Sequence, residues 1–289
     1  MEELIKIKVG KSIFSLPKGT PLSELRPQLR LEEKPLLFRS GQELLDLSYP
    51  ADHDRELEPV TASDPEALEI LWHSASHLLA QAVLELFPGV QAGVGPATET
   101  GFYYDFLRDQ AFTPEDLVAI ESRMREIAAQ DLPIRRRVLK KEEAIKIFED
   151  RGQKLKVELI QEKGGAEVTC YEQGDFIDFC LGPHLPSTGY IKYVKLLSVS
   201  GAYWKGDERG PQLQRIYGTA FFSQKELDDY LNFLEEARKR DHRRLGQELG
   251  LFHTSDDLGA GLVIWQPKGA IIRYLIENFW KEEHLKDGV

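Results

Sequence analysis

The stretch His73-Ser-Ala-Ser-His77 lies inside an apolar run, Leu68, Leu71, Trp72, Ala75, Leu78, Leu79, Ala82 and Leu86, spaced as on a helix with one buried face. Residues i and i+4 of a helix sit one turn apart on the same side, so both imidazoles point the same way. Far along the chain stands a second stretch, Asp178-Phe-Cys180-Leu-Gly-Pro-His184. Gly182-Pro183 forbids a regular helix there and bends the backbone, which brings Cys180 and His184 together on a turn. Two histidines on a rigid helix and a Cys/His pair on a loop can enclose one small polar site. Such a site is either a zinc centre, with His73, His77, Cys180 and His184 as ligands, or a metal-free hydrolytic pocket. One histidine on an amphipathic helix is usually structural. Scarcity singles these out: the 289 residues hold two Cys and seven His, and four of them fall in these two motifs.

Composition narrows the class. With 42% hydrophobic residues and four Trp, the chain can build real cores, and its length suits about two domains. No apolar run reaches the ~18 residues of a membrane helix, and the first residues lack the apolar stretch of a signal peptide. Two cysteines provide no disulfide framework, which points to a reducing cytoplasm. The net charge of −11 excludes a wholly basic nucleic-acid coat. Local patches remain, Arg135-Arg136-Arg137 with Lys140-Lys141 and Arg238-Lys239-Arg240 with Arg243-Arg244. Each is an ordinary solvated face or a phosphate-binding surface.

Outward from the histidine helix, residues 1–62 read as a small β-rich module. Leu4–Val9 and Ser12–Leu16 are strand-like and joined by Gly10-Lys11, a hairpin length. Thr20-Pro21 has the form of a helix start, with Thr as cap and Pro at the first helical position. Short strands are expected near Leu36–Phe38, Glu43–Leu45 and Leu57–Val60, an order suggesting a β-grasp. Ser63-Asp64-Pro65-Glu66 has a capping-box pattern, with Ser63 as cap. Gly93-Val-Gly95-Pro96 is no dinucleotide fingerprint, since Pro96 follows and no crossover helix opens there. It reads instead as a tight loop into an aromatic strand, Gly101–Phe106, able to wall a pocket. A helix from Thr113-Pro114 to about Gln130, a strand near Ile134–Leu139 and a helix near Lys141–Asp150 follow. Extended segments are then expected around Lys156–Ile160, Glu167–Tyr171, Phe176–Phe179, Val194–Val199 and Gln212–Phe222. Mixed elements in this order suggest α+β with an antiparallel sheet. From Gln224 to about Gly250 the pattern is one long charged helix, and Pro267-Lys268-Gly269 precedes an amphipathic helix, Ala270–Leu285.

Several longer motifs together resemble the N-terminal portion of the bacterial-type threonyl-tRNA synthetase family. They are His73–His77, Gly95-Pro-Ala-Thr-Glu-Thr-Gly-Phe-Tyr-Tyr-Asp105, Asp178–His184, Gly201-Ala-Tyr-Trp-Lys-Gly-Asp207, Gln214-Arg-Ile-Tyr-Gly-Thr219 and Arg240-Asp-His-Arg-Arg-Leu-Gly246. The paired H-x-x-x-H and C-x-x-x-H elements alone are shared with alanyl-type editing domains. The resemblance implies a TGS β-grasp module at 1–62 and a two-layer α+β editing domain at 63–223. It further implies a linker helix at 224–245 and the start of a class II catalytic core at 246–289, incomplete because the chain stops at Val289. It implies hydrolysis of tRNA(Thr) mischarged with serine, the acceptor end of tRNA(Thr) as partner, and threonine attachment by a longer, dimeric enzyme. That enzyme would use ATP, magnesium and a core zinc, none of which this chain is expected to use alone for ligation. The editing step itself is expected to need no cofactor, zinc at the His/Cys set being the alternative.

Threonine and serine differ by one methyl, worth only about 1–3 kcal/mol in a pocket, so a second, hydrolytic sieve is the physical remedy. Ester hydrolysis needs a held water, a proton shuttle and donors for the oxyanion. His73, His77 and His184 are candidate shuttles, and Cys180 can orient water or ligate metal. Asp178 is a candidate acceptor for the substrate's ammonium or hydroxyl. Lys156, matching a basic position of the family, is a candidate for the terminal adenosine or the transition state, and Tyr104 for the pocket wall. Two rivals are a non-catalytic tRNA-binding adaptor with a decayed editing fold and a zinc hydrolase of another ester. The intact His/Cys set argues against the first, and the lack of any H-E-x-x-H against the second.

Overall fold

Alternating apolar and polar residues over Leu4–Val9 (β1) put Ile5, Ile7 and Val9 on one face, all buried in the computed structural model. The structure describes residues 3–255, 259 and 261–288. β1 turns at Gly10, in the left-handed region, into the antiparallel β2 (Ser12–Pro17). Three strands follow, β3 (Leu37–Ser40), β4 (Glu43–Asp46) and β5 (Arg55–Val60). They complete a five-stranded sheet of order β2-β1-β5-β3-β4, in which only the β1–β5 pair is parallel. Leu22 and Leu25 of a short 3-10 helix, Leu22–Gln28, cover its core with Phe38, Leu45 and Leu57. The expected Thr20 cap is not made. Pro21 precedes the helix and the Thr20 hydroxyl donates to the Pro17 carbonyl at 2.6 Å, because a backbone acceptor lies nearer than the helix N–H groups.

The histidine helix is α1 (Pro65–Leu86), and fourteen of its residues are buried. That extent is why its apolar pattern runs nearly around the helix: it lies between two layers. Its cap is Asp64 rather than Ser63. The Asp64 carboxylate accepts from Thr61, Ser63 donates to Glu33, and Glu66 pairs with Arg39 at 2.7 Å. Three strands follow, β6 (Gln91–Ala92), β7 (Ala97–Thr98) and β8 (Gly101–Leu107), then helix α2 (Pro114–Ala129). Thr113 and Asp116 close a reciprocal capping box at its start. Next come β9 (Ile134–Lys140), α3 (Lys141–Asp150), α4 (Lys154–Lys163), β10 (Glu167–Gln173) and β11 (Phe176–Phe179). The segment around Lys156 is therefore helical, not extended. Its apolar residues Leu155, Leu159 and Ile160 are buried at helical spacing, a pattern hidden among the charges of a ten-residue element.

Two antiparallel sheets result. β12 (Tyr193–Tyr203) and β13 (Gln212–Phe221) join β8 and β6 in the order β12-β13-β8-β6, with β7 also on β8; β11-β10-β9 form the second sheet. α1 packs against the first, where the Trp72 indole donates to the Ala220 carbonyl at 2.8 Å. α3 and α4 cover the second through Ala144, Phe148 and Ile160. The architecture is mixed α+β with several sheets.

The chain divides into two units, one up to Leu227 and one from Asp228. The long charged helix is broken into α5 (Gln224–Lys239) and α6 (His242–Glu248). Asp241 makes the break, since its carboxylate accepts from the Arg243 amide at 2.8 Å and caps α6 instead of continuing α5. In the second unit, β14 (Phe252–Thr254) pairs with β15 (Val263–Trp265) ahead of α7 (Pro267–Lys286).

One glycine decides how the aromatic strand reaches the second sheet. A Cβ on Gly95 would lie 2.1 Å from the Tyr104 ring, and Ser76 of α1 holds the Gly95 carbonyl at 2.6 Å. The backbone at 95 is thus clamped between α1 and Tyr104 with no room for a methyl. Gly95→Ala is expected to cost about 1–3 kcal/mol of unfolding free energy, as an overpacked core does. Urea denaturation of the two chains measures it.

Candidate active site

The site forms where the two sheets meet. α1 contributes His73 and His77, β8 contributes Tyr104, α4 contributes Lys156, and β11 with its following loop contributes Asp178, Cys180 and His184. All seven residues singled out from the sequence converge here. The metal-capable atoms of His73, His77, Cys180 and His184 lie within 4.8 Å of one another. The i,i+4 pair places the His73 and His77 rings 5.3 Å apart, and His184 lies 4.3 Å from the first and 4.2 Å from the second.

A buried ion pair floors the cluster. Asp178 and Lys156 are 2% and 3% exposed, and the ammonium meets Asp178 Oδ1 in a close charge contact without the direction of a hydrogen bond. Asp178 Oδ2 accepts from the Tyr104 hydroxyl at 2.6 Å and lies 3.5 Å from His77 Nε2. Burial alone would raise the Asp178 pKa, but Lys156, His77 and Tyr104 outweigh it and hold the carboxyl below its ordinary range. Tyr104 stands behind Asp178, fully buried, with the Lys156 ammonium 5.3 Å from its ring centroid.

The mouth is at His73 and Cys180, both half-buried, beneath the exposed Leu181. Cys180 Sγ lies 3.2 Å from His73 Nε2 and 3.4 Å from His184 Nε2, and it accepts from the Gly182 amide at 3.3 Å. On the far side of His184, Ser74 Oγ is 3.2 Å from Nδ1 and accepts from the Leu185 amide at 3.0 Å. With the Leu185 amide on one lone pair, the serine hydroxyl can donate to Nδ1, and in that tautomer the His184 proton is on Nε2, facing the sulfur. A chain of donors follows: Ser74 to His184, His184 to Cys180, Cys180 to His73. Sequence reasoning passed over Ser74, although it sits inside the first motif on the buried side of α1.

Burial pulls His77 down to about 3 against the opposing pull of Asp178, and it lowers His73 and His184 as well. Burial pushes the Cys180 thiol up to about 12. At neutral pH the site therefore holds neutral imidazoles and a thiol. These can accept, donate and hold water, while the thiol is a poor nucleophile. The donor set of two helix histidines, a thiol and a loop histidine also suits zinc, which would polarise a carbonyl or activate a water when bound.

Comparison with known proteins gives the class first. Residues 168–217 match the family described as "Threonyl and Alanyl tRNA synthetase second additional domain", so the segment carrying Asp178, Cys180 and His184 is similar to a domain of those synthetases. The wider match is to one branch. The chain is 52% identical over 275 residues to the threonine–tRNA ligase of Citrifermentans bemidjiense, covering 94% of this chain and 43% of the relative. It is 57% identical over 246 residues to that of Pelobacter propionicus, covering 85% and 39%. With that of Geobacillus sp. it shares 45% identity over 292 residues, all of this chain and 45% of the relative. Along its whole length the chain is thus homologous to a portion of threonine–tRNA ligases, of which it spans less than half. No helix among the described residues is long and apolar enough to cross a membrane.

The lowered histidines fix a pH dependence. Asp178, Lys156, His73 and His184 face His77, and burial, helped by His73 and Lys156 and opposed by Asp178, keeps it neutral down to about 3, whereas an unfolded chain takes up its proton near the ordinary 6.5. Stability from this group is therefore complete above about pH 6.5 and is lost as pH falls toward 3. His77→Asn is expected to flatten the fall in unfolding free energy between pH 6.5 and 4, by at most about 1.4 kcal/mol per pH unit. Stepwise urea titrations of both chains measure the difference.

Proposed function

We propose that this chain carries the hydrolytic editing portion of a cytoplasmic threonine–tRNA ligase and deacylates seryl-tRNA(Thr). The convergence of His73, His77, Cys180 and His184 over the Lys156–Asp178 pair carries this reading. A water entering at the mouth displaces the thiol from His73 Nε2, is held there by both groups, and attacks the ester carbonyl. His73 Nε2, the accepting end of the donor chain, takes a proton from it, and the ribose oxygen leaves with a proton returned through the same groups. Asp178 and Lys156 are buried and paired, so in this geometry they act by holding His77 and setting the field of the floor. Asp178 is also the acceptor nearest at hand for a substrate ammonium or hydroxyl that enters among the rings. Cys180 as a thiol speaks for direct hydrolysis over an acyl-enzyme.

A metal-free mechanism is favoured by His77, whose Nε2 lies 3.5 Å from the Asp178 carboxylate. A shell of all four donors would also be closed, with no position left for a water. Residues 1–62 are read as a TGS module and 63–223 as the editing domain. Residues 224–245 are read as a linker and 246–289 as the beginning of the class II core. The complete enzyme would be a homodimer joining threonine to tRNA(Thr) with ATP, magnesium and a core zinc.

Purified chain is expected to hydrolyse seryl-tRNA(Thr) at least about tenfold faster than threonyl-tRNA(Thr), with no loss of rate after chelation. Equal rates on the two esters, or only background loss, would sink the editing reading. About one zinc per chain by elemental analysis, with activity lost on chelation and restored by the metal, would overturn the metal-free part alone.

A further inference from the structure

The N-terminal module touches the site through one buried carboxylate. Asp46, the last residue of β4, is 4% exposed. Its Oδ1 accepts from the Ser48 amide at 2.9 Å and from the Ser48 hydroxyl at 2.6 Å. Ser48 Oγ in turn accepts from the Arg136 amide of β9 at 2.9 Å, so the carboxylate is locked across the seam. Its Oδ2 accepts from the Tyr171 hydroxyl at 2.5 Å.

Tyr171 belongs to β10 and sits in register between Arg136 on β9 and Asp178 on β11. Its ring centroid is 4.4 Å from that of His184, tilted by 59°. Its hydroxyl lies against Gly182, where a Cβ would come within 2.0 Å of the oxygen. One flat side chain therefore backs both the turn that presents Cys180 and the ring of His184. The seam beside it is not filled. A cavity of about 420 Å³ opens between Ser23, Arg26, Asp46 and Ser48 on one side and Arg135 and His184 on the other. Asp46 and His184, the two groups that Tyr171 joins, both line that cavity, so packing across the seam is incomplete there. The hydrogen bond to Asp46 is the polar tie that fixes the hydroxyl end of the ring.

We propose that Asp46 is a positioning residue of the hydrolytic site: through Tyr171 it holds His184 and the Cys180–His184 turn against α1. The N-terminal module is then part of the frame of the site and not only an appended domain. For its kinetic consequence the inference rests on the proposed hydrolysis, while its structural consequence stands apart from it.

The test uses the full chain with ¹⁵N-labelled histidine, followed by imidazole resonances and by ester hydrolysis. Asp46→Ala and Tyr171→Phe are expected to shift or broaden the His184 signals, which sense the neighbouring ring. They are also expected to lower kcat about tenfold while KM changes less than about twofold, as for a misplaced catalytic group. Asp46→Asn, which still bonds the tyrosine oxygen, is expected to restore most of the rate. Asp46→Ala adds nothing once Tyr171 is Phe. The control is Arg39→Ala, which removes the 2.7 Å contact of the module with Glu66 on α1 and leaves Tyr171 untouched. Should Asp46→Ala not fold, Tyr171→Phe, the loss of a single oxygen, carries the test. Unmoved His184 signals in Asp46→Ala or Tyr171→Phe, equal movement in Arg39→Ala, or full additivity of the Asp46 and Tyr171 effects would each overturn the proposal. Shifted His184 signals in a chain that hydrolyses neither ester would remove the proposed activity and leave the positioning role standing.

Discussion

The Lys156–Asp178 pair is the interaction on which the rest of the site depends. A carboxylate and an ammonium taken out of water together cost several kcal/mol each before their attraction is counted. The pair is supported on one side: Tyr104 donates to Asp178 Oδ2, and His77 stands within 3.5 Å of the same atom. Those four residues come from α4, β11, β8 and α1. One electrostatic knot therefore ties both sheets and the central helix together, and removing a single partner would leave a buried charge uncompensated. Hydrophobic residues of like volume could fill the same space. They could not hold an imidazole at a set angle, which the proposed hydrolysis requires of the floor.

The same burial that makes the pair costly sets the protonation of everything above it. His77, His73 and His184 are all lowered and Cys180 is raised, each chiefly by loss of water. The result is a set of neutral groups over a neutralised floor. Proton transfer among them moves charge only transiently, and the donor chain from Ser74 to His73 has a direction given by hydrogen bonds and not by a permanent charge. A thiolate would be a stronger nucleophile. A thiol is the better partner for a water molecule, accepting and donating at once.

Much of this was legible in the sequence because two short-range rules sufficed. Helical spacing paired His73 with His77, and Gly182-Pro183 brought Cys180 near His184. That the two pairs meet rested on the scarcity of Cys and His, and that Asp178 and Lys156 join them came from the family resemblance and not from any spacing. Lys156 shows why: its helix is short and charged, so its buried face is carried by few apolar residues and reads as extended. The misplaced caps at Thr20 and Ser63 have one cause. A small polar side chain takes whichever backbone or side-chain partner tertiary packing brings nearest. Tyr171 and Asp46 were invisible for a third reason. Their contact joins residues far apart in the chain, and neither lies in a motif.

On the proposed reading, hydrolysis and discrimination make the same physical demand. A pocket that yields accepts an extra methyl at little cost. A pocket whose walls cannot move turns it into overlap worth about 1–3 kcal/mol, with each 1.4 kcal/mol a factor of ten. The walls here are backed from behind. Tyr104 is pressed against Gly95, Asp178 is held by Lys156, and His184 lies between Ser74 and Tyr171. None of these supports needs to touch a substrate. Each removes a direction in which a ring or carboxylate could retreat, so the groups that would hold the water are also those that leave a larger side chain nowhere to go.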